Sequence, residues 1–183
     1  MRTTSIRRLG LLAAALCAGL SAPAWAQLTT TANGPFVAMP SWSQKLTSNR
    51  FVILANWNGE AVLDRETGLV WERSPDISAR NWTDAHRYCN SLGVGGRMGW
   101  RVPSVHELTS LLDPTILLPA STSLPAGHPF LEEVPVAWSA TTSAGNADNV
   151  WRVRFFDRVV APVSRSSLVP AWCVRGATVA EVQ

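Results

Sequence analysis

The chain has 183 residues, of which 16 are basic and 13 acidic. Three of the arginines, Arg2, Arg7 and Arg8, lie at the very start, so the rest of the sequence carries 13 charges of each sign. This balance gives no support for a general attraction to nucleic acid, and any anion binding must come from a local patch of charge.

The first 26 residues have the three parts of a secretory signal peptide. The early arginines precede an apolar run at residues 9–20, and Ala24-Trp25-Ala26 offers a small-x-small cleavage site. A signal anchor is the alternative, but this run is well short of the ~20 residues that cross a bilayer. We therefore predict that residues 1–26 are removed and that the mature protein, with no membrane span, is periplasmic or extracellular.

Only two cysteines, Cys89 and Cys173, remain after this cleavage. In an oxidising compartment, two cysteines without a third partner favour one disulfide. Closing so long a loop is worth roughly 4 kcal/mol in the chain-entropy model. The alternative is a pair of unpaired buried thiols.

The mature chain begins with residues 27–49, a Thr-, Ser- and Pro-containing stretch that predicts an irregular lead-in. Its apolar residues Phe36, Val37 and Trp42 would pack against the domain. Short runs of β-forming residues follow, separated by turn residues such as Gly68. The predicted strands are residues 50–56, 61–64, 69–71, 137–142, 150–156, 159–163 and 172–175.

Two helices are predicted between the two groups of strands. The first begins at the capping residue Asn81 and carries an apolar stripe at helical spacing. The second begins at Ser104, which forms a capping box with Glu107, and it stops before Pro114. Residues 115–136 contain four prolines and predict a long packed loop. The order of elements predicts an α+β fold with an antiparallel sheet.

Five motifs occur together in the order and spacing of one protein family. They are the hairpin Asp64-Arg65-Glu66-Thr67-Gly68-Leu69-Val70-Trp71, the helix Trp82-Thr83-Asp84-Ala85 through Cys89, the corner Gly99-Trp100-Arg101-Val102-Pro103-Ser104 with Glu107-Leu108, the strand Trp138-Ser139-Ala140-Thr141-Thr142 and the terminal Cys173-Val174-Arg175-Gly176. Over residues 61–176 the chain closely resembles the Lcl C-terminal domain family.

The resemblance implies a C-type lectin-like fold, in which two short helices pack against a twisted antiparallel sheet with long loops. A Cys89–Cys173 disulfide agrees with that fold. The domain would span residues 50–177, and residues 178–183 would form a tail. Pro170-Ala171-Trp172 departs from the strand-like residues usual in the family before the last cysteine.

The resemblance also implies an exported bacterial domain, because the adhesin that gives the family its name binds sulfated polysaccharides and host or biofilm surfaces. This chain lacks that adhesin's collagen-like repeat, so trimerisation through a stalk is not implied. We expect a non-catalytic, adhesion-type domain that binds polyanionic glycan or another cell-surface ligand. The alternative is a structural or assembly protein of the bacterial envelope that docks a protein partner.

Arginines near the C-terminus are the candidate ligand-binding residues. Arg152 and Arg154 alternate with apolar residues and would lie on one side of their strand, with Arg158 at the adjoining turn. Arg165 would lie nearby if the chain doubles back. Planar guanidinium groups suit sulfate, phosphate or carboxylate. The alternative is a solvated sheet face, with the arginines paired to residues such as Asp157.

Calcium is an alternative ligand, because lectins of this broad fold often hold sugars through it. Asn146, Asp148 and Asn149 offer oxygen ligands in one loop. The sequence lacks a Glu-Pro-Asn or Gln-Pro-Asp triplet, so an ordinary polar loop is favoured and no cofactor is expected. An exposed indole such as Trp57 would instead stack directly on a sugar ring.

Other residues of the shared motifs are assigned structural roles. Arg101 and Arg175 are expected to pair with Asp64, Glu66 or Glu107 rather than to contact a ligand. Trp82, Trp100, Trp138 and Trp151 are expected in the core. The structural set is Trp71, Trp82, Trp100, Arg101, Glu107, Trp138, Trp151 and Arg175.

Catalysis is not expected. His86, His106 and His128 have neither a zinc spacing nor a nucleophile elbow beside them. Glu132 and Glu133 are adjacent carboxylates on a loop, which are normally solvated. The formylglycine-generating enzymes share the broad fold, but they need reactive cysteines, and both cysteines here are expected in the bridge.

Overall fold

The structure of the chain, a computed structural model, describes residues 50–118 and 120–176. The predicted signal peptide, lead-in and tail lie outside these ranges, so those assignments stay predictions. In the described ranges, no helix is both long and apolar enough to cross a membrane. The strands and α-helices there are β1 (Phe51–Ile53), β2 (Ala61–Asp64), β3 (Val70–Glu72), α1 (Trp82–Ser91), α2 (Val105–Ser110), β4 (Val136–Thr142), β5 (Asn149–Arg154), β6 (Val160–Ser164) and β7 (Val174–Arg175).

The strands form two antiparallel sheets, and the prediction of a single sheet is wrong. The first sheet has the order β1-β2-β3-β7 and the second the order β4-β5-β6. Strand β7 pairs with β3, with Trp71 opposite Val174. Pro170, before β7, has no N–H for a sheet ladder; its carbonyl accepts a hydrogen bond from the Trp138 N–H at 3.1 Å. Between β6 and β7 the chain forms no strand, but Val169 makes an isolated antiparallel bridge with Arg80.

Both helices begin at the predicted caps. The Asn81 side-chain oxygen accepts a hydrogen bond from the Asp84 N–H at 2.9 Å. The Ser104 hydroxyl accepts from the Glu107 N–H at 3.2 Å, and the Glu107 carboxylate accepts from the Ser104 N–H at 2.8 Å. These two bonds confirm the capping box. Helix α2 is shorter than predicted, because it ends at Ser110 and the chain continues as a turn.

The core consists of two clusters of buried side chains, and β4 contributes to both. Trp138 belongs to the first cluster, which also contains Cys89 of α1. Ala137 belongs to the second cluster, which also contains Leu108 of α2 and Trp172. Neighbouring residues of a strand point to opposite faces, so β4 is buried on both sides between the two clusters.

The predicted disulfide between Cys89 and Cys173 is confirmed. Their Cα atoms are 5.5 Å apart, and 84 residues separate them in sequence. Both side chains are completely buried. The bond therefore ties α1 to the residue that precedes β7.

Candidate ligand-binding surface

The two central arginines of the predicted patch lie on β5, the middle strand of the second sheet. Arg152 lies opposite Trp138 on one neighbouring strand and Ala161 on the other, and Arg154 lies opposite Val136. Residues two apart on a strand share a face, so both arginines are on the same side of the sheet. Both are half-buried.

The charges of these two arginines are compensated to different degrees. Arg154 Nη2 lies 2.6 Å from Asp157 Oδ2, with the two side chains 33% and 31% exposed. The Arg154 guanidinium also lies over the Phe156 ring, 5.3 Å from its centroid. Within residues 50–118 and 120–176, no carboxylate pairs with Arg152, and its buried Nε has no hydrogen-bond partner. Arg152 is therefore the less compensated of the two.

Arg158 has partners inside the protein. Its backbone is in the left-handed region, with a φ of 59°. Its guanidinium donates to the Asp113 carbonyl at 3.1 Å and to the Ile116 carbonyl at 2.8 Å. These bonds hold the loop after α2 against the turn between β5 and β6. A positioning role for Arg158 follows, since two of its donors are already used.

Arg165 lies at the other end of the β5–β6 hairpin, four residues beyond the Ala161 that faces Arg152. Its guanidinium lies over the Trp82 ring at 4.5 Å, and the His86 ring is 4.3 Å from the same indole. Burial, together with the charge of Arg165, lowers the pKa of His86. The chain doubles back as predicted, but Arg165 is engaged with α1 rather than with Arg152.

The polar loop considered for calcium is closed by its own hydrogen bonds. The Asn146 side-chain oxygen accepts from the Asp148 N–H at 2.9 Å, and the Asn146 carbonyl accepts from the Asn149 N–H at 3.0 Å. This is the turn-forming use of asparagine. In the part of the chain that the structure describes, no three His, Cys, Asp or Glu side chains gather as metal ligands would. Calcium binding at this loop stays an alternative.

Arg101 pairs with a carboxylate as predicted, whereas Arg175 has no carboxylate partner among the residues that the structure describes. Arg101 Nη1 and Nη2 lie 2.7 and 2.6 Å from the two carboxylate oxygens of Glu107, whose side chain is 2% exposed. Arg175 donates to the Met98 carbonyl at 2.8 Å and lies over the Trp57 ring. The predicted role of Arg101 in the fold is confirmed, whereas Arg175 is held by a carbonyl and an indole.

The prediction that Trp57 is exposed is wrong, because only 1% of this residue is accessible. A Cβ added at Gly95, whose φ is 64°, would lie 2.6 Å from the Trp57 Cβ. The glycine therefore lets its loop close over the indole. Trp82 and Trp151 are half-buried rather than core residues. The remaining tryptophans of the structural set are fully buried: Trp71, Trp100 and Trp138.

The histidines that sequence analysis considered for catalysis lie on separate elements. His86 is on α1, and His106 is exposed on α2. His128 is in the long loop, where its Nε2 lies 3.9 Å from Glu133 Oε1. Glu132 is exposed beside Glu133. The structure does not bring these side chains into one cluster in the residues that it describes.

Sequence reasoning missed Glu72, a buried carboxyl group beside the disulfide. Glu72 is 3% exposed. It accepts hydrogen bonds from the Tyr88 hydroxyl at 3.0 Å and the Cys173 N–H at 3.4 Å. Burial raises the pKa of Glu72 to about 7, although both donors favour the ionised form. The available signal was its position next to Trp71 at the end of a predicted strand.

These features define a class: an α+β domain of two antiparallel sheets and two helices, closed by one buried disulfide. The family model described as the Lcl C-terminal domain matches residues 60–175. The match covers more than half of the chain, and the chain belongs to this family. A search of curated proteins finds no match.

Proposed function

We propose that this chain is an exported domain of the C-type lectin-like type that catalyses no reaction. Its function is to bind a polyanionic glycan or another cell-surface ligand. The buried disulfide supports export, since such bonds persist in oxidising compartments. The family resemblance supports the ligand class, because the adhesin that gives the family its name binds sulfated polysaccharides.

The observation that carries the proposal is the environment of Arg152. It is half-buried in the middle strand of the second sheet, and no carboxylate of the described residues pairs with it. An uncompensated guanidinium attracts an anion, and its planar donors match sulfate or carboxylate oxygens. Arg154, two residues along the same face, adds a second charge once its exposed ion pair with Asp157 opens.

The competing function is a structural or assembly role in the bacterial envelope, with a protein docked on the same side of the molecule. The observation that favours it is the exposure of apolar side chains at the turn next to the arginines, where Phe156 is 39% and Val159 is 37% exposed. Exposed apolar surface is typical of protein interfaces.

Retention on immobilised heparin separates the two functions. We expect the mature protein to be retained at low salt and released as salt rises, because exposed charges are screened. We expect Arg152→Ala with Arg154→Ala to lose most of this retention. The control is Arg87→Ala with Arg97→Ala, which also removes two positive charges, but from exposed positions outside the patch.

Three results decide the outcome. Retention that Arg152→Ala with Arg154→Ala loses and Arg87→Ala with Arg97→Ala keeps supports the proposal. Equal loss in both variants contradicts it, since only total charge then matters. A protein captured by crosslinking, with no retention on heparin at low salt, favours the assembly function. Repeating the measurement with calcium and with EDTA tests the loop at Asn146, Asp148 and Asn149.

A further inference from the structure

A group of apolar side chains is exposed where the loop after α2 meets the turn between β5 and β6. Arg158 joins these two segments through its bonds to the Asp113 and Ile116 carbonyls. We call the four exposed side chains on either side of these bonds the loop patch: Leu117 (88% exposed), Leu118 (42%), Phe156 (39%) and Val159 (37%).

Local contacts hold the turn half of the loop patch in place. The Arg154 guanidinium lies over the Phe156 ring and pairs with Asp157. The other Asp157 carboxylate oxygen accepts a hydrogen bond from the Val159 N–H at 3.1 Å. The segment that carries Leu117 and Leu118 is held by the bonds from Arg158 to the Asp113 and Ile116 carbonyls. The loop patch is therefore a formed surface, and not a set of side chains on unattached loops.

The N-terminal part of the chain joins the described domain beside this surface. Arg50 is the first described residue. Its guanidinium pairs with Asp64 at 2.7 Å and donates to the Ser110 carbonyl, at the end of α2, at 2.8 Å. Three residues after Ser110, the Asp113 carbonyl receives the bond from Arg158. Arg50 therefore lies at the end of the molecule that carries the loop patch.

The segment that precedes Arg50 has the composition and the reach to cover the loop patch. Residues 36–42, Phe-Val-Ala-Met-Pro-Ser-Trp, form an apolar stretch between polar neighbours. Seven residues lie between Trp42 and the anchor at Arg50, and the eight Cα-to-Cα steps that join the two can span at most about 29 Å. Contact between the two apolar surfaces would remove both from water, at about 25 cal/mol for each Å² buried.

We propose that residues 36–42 bind the loop patch of the same chain. Two observations support this proposal. Arg50, where the preceding chain joins the domain, lies near the loop patch, and the chain between Trp42 and Arg50 is long enough to reach it. It does not rest on the ligand-binding function, because the loop patch does not include Arg152, although Arg154 lies over the Phe156 ring at its border. A second copy of the chain or a separate partner on the loop patch is an alternative that the test identifies.

The test is photocrosslinking from the exposed position 117 of the full mature chain. Replacing Leu117 with p-benzoylphenylalanine changes a side chain that is 88% exposed, so the fold is expected to tolerate it. We expect a crosslink to the tryptic peptide that ends at Lys45, which contains all of residues 36–42. The yield should not depend on protein concentration.

Two further samples make the result decisive. The same photoreactive residue at Leu168, which is 68% exposed beside the α1 side of the molecule, should give no such crosslink. Phe36→Ser with Trp42→Ser, placed in the Leu117 sample, should lose most of it. Crosslinks between isotope-labelled and unlabelled chains would show a second copy on the loop patch and overturn the proposal. Absence of the Lys45 peptide from every product would overturn it as well.

Discussion

Two arginines beside the first sheet, Arg50 and Arg101, have partners of a different kind from those of Arg152 and Arg154 on the second sheet. Arg50 makes two bonds to Asp64, at 2.9 and 2.7 Å, and the Asp64 carboxylate is completely buried. Arg101 binds Glu107 in the same two-bonded way. In the second sheet, Arg154 has one exposed carboxylate, and Arg152 has none among the described residues.

This difference separates arginines that hold the fold from arginines that are available to a ligand. A buried carboxylate that loses its arginine is left as an uncompensated charge, which is strongly destabilising. An exposed pair contributes little, because water and salt screen it. Arg50 and Arg101 are therefore expected to affect stability, and Arg152 and Arg154 to affect binding. Three experiments test or refine this comparison.

The largest effect is expected from removal of the disulfide that closes the first sheet. Cys89→Ala with Cys173→Ala opens a loop of 84 residues. The chain-entropy relation gives a loss of about 4 to 5 kcal/mol in the free energy of unfolding. Urea unfolding of the variant and of the oxidised wild type measures it. An unchanged unfolding midpoint would show that the bond does not stabilise this region.

The next effect is the loss of unfolding free energy when Arg101 or Arg154 is replaced by alanine. Arg101→Ala leaves Glu107 buried and without its two bonds, and we expect a loss of about 3 to 4 kcal/mol. This lies toward the low end of the usual range because the Arg101 side chain is 30% exposed. The matched control, Arg154→Ala, leaves Asp157, whose side chain is 31% exposed and still hydrated, and is expected to cost at most about 1 kcal/mol. Urea unfolding measures both losses, and equal losses of unfolding free energy would contradict the distinction between Arg101 and Arg154.

The smallest effect concerns pH and the carboxyl group beside the disulfide. The pKa of Glu72 is raised from 4.5 to about 7 in the folded protein. Between these pH values the folded state holds a proton that the unfolded state has lost, so stability falls as pH rises through this window. At 1.36 kcal/mol per pKa unit, the fall is at most about 3 kcal/mol.

Glu72→Gln removes this titration while keeping the size of the side chain. We expect the unfolding free energy of the variant, minus that of the wild type, to increase between pH 4.5 and pH 7. Subtraction cancels the titration of groups that both proteins share, including His86 and His128. The measurement is urea unfolding of both proteins at several pH values from 4 to 8. Parallel curves of unfolding free energy against pH would contradict the prediction.

Features set by neighbouring residues were predicted well from the sequence. The caps at Asn81 and Ser104 depend on side chains within three residues of the backbone groups they bind. The disulfide between Cys89 and Cys173 followed from a count of cysteines together with the expected compartment. Arg101 and Glu107 are also close in sequence, six residues apart, and their pairing was among the expected ones.

Apart from the disulfide, the features that depend on distant parts of the chain were not predicted. The pairing of β7 with β3 rather than with the second sheet brings together residues about one hundred positions apart. Burial of Trp57 requires Gly95 to approach it, and nothing near Trp57 in the sequence reports this. The bonds from Arg158 to the loop after α2 cross more than forty residues. Arg152 and Arg154 share one strand face as predicted, and the Arg154–Asp157 pair is the one that the alternative named. The internal partners of Arg158 were not foreseeable.

The position of β4 between the two core clusters has a consequence for how the domain unfolds. Trp138 and Ala137 are adjacent, yet one belongs to each core cluster. If the packing of either cluster is lost, one face of β4 becomes exposed to water. The other face of β4 is part of the other cluster, so that cluster is weakened as well. We expect the two halves to unfold as one cooperative unit, with the amide protons of both sheets exchanging through a single global opening.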